Sequence, residues 1–129
     1  MCEYYTTIGM DVSDRKIQVC VMSKANGSPK IIMETIIPTT KESLTKFLST
    51  QDKSSPVTFE TGMHCRWMQD VIESLGHKVY VANPCHLRMI TESKTKNDVN
   101  DARMLARLTL ADPGLLHPVK LRDAEHQKC

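Results

Sequence analysis

No apolar run in this chain approaches the roughly 18–20 residues that a membrane-spanning helix needs. The longest stretches, such as Ile31-Ile32-Met33, are also too short for the core of a signal peptide. No Cys-x-x-Cys pair occurs: Cys2, Cys20, Cys65, Cys85 and Cys129 are widely spaced and odd in number. That pattern argues against a disulfide framework and for reduced thiols in a cytoplasm. Internal repeats and low-complexity segments are missing too. An excess of charge is lacking: 17 Lys+Arg against 15 Asp+Glu leave a net +2, which neither demands nor forbids a nucleic-acid partner. What is there is ordinary globular usage, 40% hydrophobic and 25% charged, so disorder and collagen-like architecture are excluded. A length of 129 residues fits one domain.

His64-Cys65 and Cys85-His86 bring four residues of zinc-binding type. Adjacent residues rarely reach one ion together, and this spacing fits no familiar zinc pattern. The cysteines are expected to be inert packing residues.

The first forty residues carry the period of strands. Ile17, Val19 and Val21 alternate with Gln18 and Cys20. The run Tyr4 to Val12 precedes them, and Ile31 to Ile37 follows an Asn26-Gly27 turn signal, which predicts an antiparallel meander. The period then changes. Thr39-Thr40-Lys41-Glu42 has the form of a capping box, with Thr39 and Glu42 as its partners. Leu44, Phe47 and Leu48 mark the apolar face of the helix that it opens. Val57 to Glu60 is a short strand. Trp67, Met68, Val71, Ile72 and Leu75 form a second helical face stopped at Gly76. Lys78 to Ala82 is another strand, Asn83-Pro84 can open a helical turn, and a last helix runs from about Asn97 to Leu110. The order β-β-β-α-β-α-β-α, with a mixed five-stranded sheet, is that of the ribonuclease H-like α/β fold.

Four acids stand out by position. Asp11 lies inside the apolar run Ile8-Gly9-Met10-Asp11-Val12, where a carboxylate is costly to bury unless paired or metal-bound; otherwise it ends its strand and caps the turn into Ser13-Asp14. Glu60 ends Val57-Thr58-Phe59-Glu60 just before Thr61-Gly62, at a strand end of the kind that faces a ligand crevice; a solvated strand end is the plainer alternative. Asp98 and Asp101 share a helix face with Leu105 and Leu108. Acids in a first turn complement the helix dipole, but two on one face repel each other unless a cation lies between them. Brought together, the four would form a self-repelling cluster suited to hard cations such as Mg²⁺ or Mn²⁺. Two such ions can assist phosphodiester cleavage.

Four segments in order, Ile8-Gly9-Met10-Asp11-Val12-Ser13, Phe59-Glu60-Thr61-Gly62, Val81-Ala82-Asn83-Pro84 and Lys94-Thr95-Lys96-Asn97-Asp98-Val99-Asn100-Asp101-Ala102, carry a resemblance. They resemble the N-terminal domain of the DEDD transposases of the insertion-sequence one-hundred-and-ten group, to which Piv-type DNA invertases also belong. The last segment looks like the group's Lys-Thr-Asp-x-x-Asp-Ala motif with Asn97 inserted. The resemblance implies a RuvC-like catalytic domain over residues 1–112 and the start of a connector over 113–129. Asp11, Glu60, Asp98 and Asp101 would be its catalytic and metal-binding tetrad, with Mg²⁺ or Mn²⁺ as cofactor. DNA would be the substrate, and Arg88, Lys94, Lys96, Arg103 and Arg107 would contact phosphates. It further implies a bridge RNA as guide, assembly as a homo-oligomer, a prokaryotic, nucleoid-associated cytoplasmic location, and a second domain bearing a catalytic serine. No serine here matches such a nucleophile motif, so the chain is expected to be an N-terminal fragment of a recombinase or a truncated element product.

Two other functions are open on sequence. Ile8-Gly9-Met10-Asp11-Val12 is also similar to the first phosphate-binding strand of actin-like ATPases and sugar kinases. Those proteins need a Gly/Thr-rich turn next, whereas Ser13-Asp14-Arg15 follows here and the chain has only five glycines. A nucleic-acid-binding or dimerisation module without chemistry is the other.

Overall fold

Strand alternation divides the molecule into two unequal sides of one sheet. The computed structural model describes residues 5–25, 28–60, 62–82 and 98–111, with the backbone alone at residue 25 and residues 98–101. The elements are β1 (Thr6–Val12), β2 (Lys16–Ala25), β3 (Ser28–Pro38), α1 (Lys41–Ser49), β4 (Val57–Glu60), α2 (Cys65–Ser74), β5 (Val79–Ala82) and α3 (Asp98–Ala111). The sheet order is β3-β2-β1-β4-β5. β1, β2 and β3 pair antiparallel, whereas β4 runs parallel to β1 and β5 parallel to β4. This is the mixed five-stranded sheet that the residue periods predict. The helical turn expected at Asn83-Pro84 lies outside the described residues.

On one face, Ile8, Met10, Ile17, Val19 and Val21 are buried against Leu44 and Leu48 of α1 and Met68, Val71 and Ile72 of α2. Burying side chains of this size contributes about 1.5–3 kcal/mol each, which makes this the principal core. The opposite face is thinner. There Cys20 and Met22 meet Ala102, Ala106 and Leu110 of α3. Gly76, with φ of 96°, turns the chain out of α2 in the left-handed conformation that glycine takes without strain. Among the described residues no helix is long and apolar enough to cross a membrane.

The start of α1 corrects one expectation. The cap is Thr40, whose Oγ1 accepts from the Ser43 amide at 3.1 Å. Thr39 instead donates its hydroxyl to the Ser13 carbonyl at 2.8 Å, tying this entry to the β1–β2 turn. Thr40→Ala is therefore expected to lower stability by about 1 kcal/mol, the usual value of a lost N-cap. Thr39→Ala leaves that cap in place. Denaturant midpoints of the two variants check the assignment.

Candidate active site

The parallel pairing of β1 with β4 places two of the acids on adjacent strands. Ile8 is level with Val57 and Gly9 with Thr58. Continued two residues past the last pair, that register would put Asp11 level with Glu60, and period-two alternation would put both on the face of Gly9 and Thr58. Both are half-buried. They line a cleft of about 140 Å³ at the C-terminal ends of the two strands, together with Asp14, His64, Cys65 and Met68. Strand ends of this kind border the ligand crevice of open α/β sheets.

The third and fourth acids arrive on α3, which lies almost directly on β1. Gly9 makes that approach possible: a Cβ there would stand 2.2 Å from the Ala102 carbonyl oxygen and 2.6 Å from the Ala106 nitrogen. Thr7 donates its hydroxyl to the Ala106 carbonyl at 2.8 Å. Passing from Thr7 to Gly9 thus moves back along α3 from Ala106 towards Ala102. A further two strand residues advance about 6.6 Å, and four helix residues cover about 6 Å. The first turn of α3, with Asp98 and Asp101, therefore comes level with Asp11.

A second seam fixes the helix laterally. Thr109 donates its hydroxyl to the Leu105 carbonyl at 2.7 Å. Its only proton is then used, so the buried 2.6 Å contact with Thr58 Oγ1 has Thr58 as donor. Among the described residues no three His, Cys, Asp or Glu side chains form a metal-holding cluster. The side chains of Asp98 and Asp101 are outside that set.

At the cleft mouth, Trp67 Nε1 donates to His64 Nδ1 at 3.0 Å. His64 Nε2 lies 3.1 Å from Asp14 Oδ1. Sequence reasoning considered His64 only beside Cys65 as a zinc ligand. The Asp14 partner is fifty residues away in the chain, and no local pattern announces it.

The family model for DEDD transposases of the IS110 group, described as "Transposase", matches residues 8–128. The chain belongs to that family. No curated protein matches this chain. Its fold is similar to two solved structures from Thermus thermophilus. The RuvC structure is 12% identical with a TM-score of 0.58, covering 88% of this chain and 99% of that one. RuvC in complex with a Holliday junction substrate is 12% identical with a TM-score of 0.59, covering 90% and 100%. At that identity the likeness establishes the fold: a RuvC-like, ribonuclease H-like α/β domain.

The basic residues of the chain divide. Arg88, Lys94 and Lys96 lie outside the described residues, and Arg107 is exposed on α3. Arg103 has a partner that the sequence did not indicate. Its Nε donates to Glu34 Oε2 at 2.6 Å and its Nη2 to Oε1 at 2.8 Å, a two-pronged pair joining α3 to β3. The guanidinium hydrogen bond holds the Glu34 carboxyl below the ordinary carboxylate range. Buried beneath this pair, the Cys20 thiol is pushed up to about 11, by burial first and the Glu34 charge second. Cys20 is thus a neutral thiol near pH 7, consistent with an inert packing role.

A pH dependence follows. Because folding depresses the Glu34 pKa, its stabilisation is complete above the unfolded value and disappears as pH falls through the folded one. The wild-type chain is expected to be more stable than its Glu34→Gln variant at pH 7. The difference shrinks as pH drops past the ordinary value of 4.5 and vanishes below the depressed one. Thermal melts of both proteins across that range check it. A constant difference at every pH would rule the ion pair out as its source.

Proposed function

We propose that this transposase domain is the metal-dependent DNA strand-cleavage module of a recombinase, with Asp11, Glu60, Asp98 and Asp101 as its catalytic, metal-holding acids. The observation that carries the proposal is that Asp11 and Glu60, at the ends of two paired strands, line one cleft, with α3 packed on β1 at Gly9. The donor set fits the group: it consists of carboxylate oxygens, which suit Mg²⁺ or Mn²⁺ rather than softer metals. When bound, such ions supply charge stabilisation at the attacking and leaving oxygens of a phosphodiester.

The chain's own residues supply the rest. Asp11 and Glu60 present acceptors at the strand ends, where the backbone is held by sheet pairing on both sides of β1. Asp98 and Asp101 ride on a helix whose position is set by Gly9, Thr7 and Thr58. The Arg103–Glu34 pair holds that helix from the far side. Arg88, Lys94, Lys96 and Arg107 are assigned to phosphate contacts, which are independent of sequence and weaken with salt. A guide RNA, a homo-oligomer, a connector starting at residue 113 and a nucleoid-associated cytoplasmic setting complete the proposal. The likeness to a RuvC solved with a Holliday junction supports a branched-DNA substrate.

Mn²⁺ titration by calorimetry, in parallel with cleavage assays on branched and linear DNA, tests it. Wild type is expected to bind metal, and Asp11→Ala and Asp98→Ala to lose that binding. Equal binding by all three would reject the tetrad. Metal binding with no cleavage of either DNA would limit this chain to the metal-holding half of the reaction, with the serine-bearing second domain needed to cut.

A further inference from the structure

At the mouth of the cleft, one histidine carries a proton whose position is dictated from behind. The indole N–H of Trp67 can only donate, so His64 Nδ1 accepts it at 3.0 Å and the ring proton sits on Nε2. That Nε2–H therefore donates to Asp14 Oδ1 at 3.1 Å. The donor is well held. Trp67 packs against the principal core, the two rings meet edge to face with centroids 6.0 Å apart, and His64 is only 24% exposed. The acceptor is not: the Asp14 side chain, in the β1–β2 turn, is 80% exposed. An exposed pair of this kind contributes little to stability, so little is lost when another anion takes the acceptor's place.

A phosphodiester oxygen offers what the carboxylate offers, a negatively charged acceptor. His64 and Asp14 line the same cleft as Asp11 and Glu60. A DNA strand laid across those acids brings its phosphates to His64. We propose that His64 is a phosphate-binding residue of the cleft, and that Asp14 occupies its Nε2–H until a nucleic-acid phosphate displaces it. This rests on the reading of the cleft as a DNA site. Trp67 is a positioning residue that acts through the imidazole.

Anisotropy with a labelled four-way DNA junction in Mg²⁺ tests the proposal on wild type, His64→Ala, Asp14→Ala and the double variant. His64→Ala is expected to weaken binding about tenfold, the size of one hydrogen bond to a charged group. Asp14→Ala is expected to tighten it about threefold, and the gain to vanish when His64 is also absent. His64→Gln, which keeps an amide donor, retains most of the affinity and guards against misfolding of the alanine variant. Long-range ¹H–¹⁵N correlation of the imidazole reads the Nε2–H tautomer in wild type and a mixture in Trp67→Phe. A gain from Asp14→Ala that persists without His64 reports only the removal of charge and overturns the proposal. Weakened binding in both single variants makes the pair a structural clasp and also overturns it. Failure of wild type to bind the junction rejects the DNA reading of the cleft together with the proposal. Binding with either wrong pattern rejects the proposal alone.

Discussion

Replacing Gly9 with valine is expected to prevent folding of the α3 side of the domain, and alanine to cost about 3 kcal/mol, the upper end of ordinary overpacking effects. The obstacles a Cβ would meet at 2.2 Å and 2.6 Å are a carbonyl oxygen and an amide nitrogen of α3, with the Ala106 methyl next at 3.1 Å. No side-chain rotation clears backbone atoms. The helix has to lift, and lifting it breaks the buried Thr7 and Thr58 contacts as well. The other face, with its larger core, stays intact. Urea denaturation followed by circular dichroism distinguishes the outcomes. A lower midpoint with an unchanged slope marks a destabilised but intact native state, and a smaller slope marks a domain from which α3 has already come away. An alanine variant with the wild-type midpoint would contradict the packing described for β1 and α3.

Asp11→Asn is expected to keep the fold and lose the metal. Removing a charged oxygen from a set of carboxylates weakens a hard cation by more than the roughly 10–100-fold that loss of an outer partner costs. Asparagine keeps the size of the side chain, so a cooperative melt of the variant in chelator checks that the fold is retained. Added metal discriminates further. A ligand present at a hundred times its dissociation constant stabilises the native state by about 2.7 kcal/mol. Mn²⁺ should therefore raise the melting point of wild type and leave Asp11→Asn unmoved, with Glu60→Gln behaving likewise. If Mn²⁺ stabilised the variant and wild type equally, the ion would bind elsewhere.

Strand period carried most of the fold. Alternation in Ile17 to Val21 and the apolar spacing of α2 are local signals, and both elements appear where those signals put them. The one-residue error at α1 has a local cause. Two consecutive threonines each offer a capping oxygen, and the fold draws Thr39 away to Ser13, a contact spanning 26 residues. The placing of Asp11 and Glu60 near strand ends was legible because a carboxylate in or after an apolar strand run is conspicuous. Gly9, Thr7, Thr58 and Thr109 were not, since each passes for an ordinary strand or helix residue until the other side of the contact is known. A faint signal did exist: Ala102 and Ala106, small and one turn apart, stand opposite a strand that alternates Thr7 and Gly9. The Arg103–Glu34 pair, 69 residues apart, and the His64–Asp14 pair join elements whose neighbours only the folded sheet determines.

The threonine seam under α3 behaves as a detent. A helix resting on a smooth apolar surface can creep along its axis by fractions of a turn at small cost. This one has a notch at Gly9 and two hydroxyl catches, each matched to a single backbone or side-chain oxygen. Sliding by one residue would misalign all three together, and the next comparable fit is a full turn away. The position of the first turn of α3 along β1 is therefore indexed rather than adjustable. For the four-acid metal site proposed above, this predicts a gauge of fixed width, which a small shift of the helix would not widen for a cation of the wrong radius.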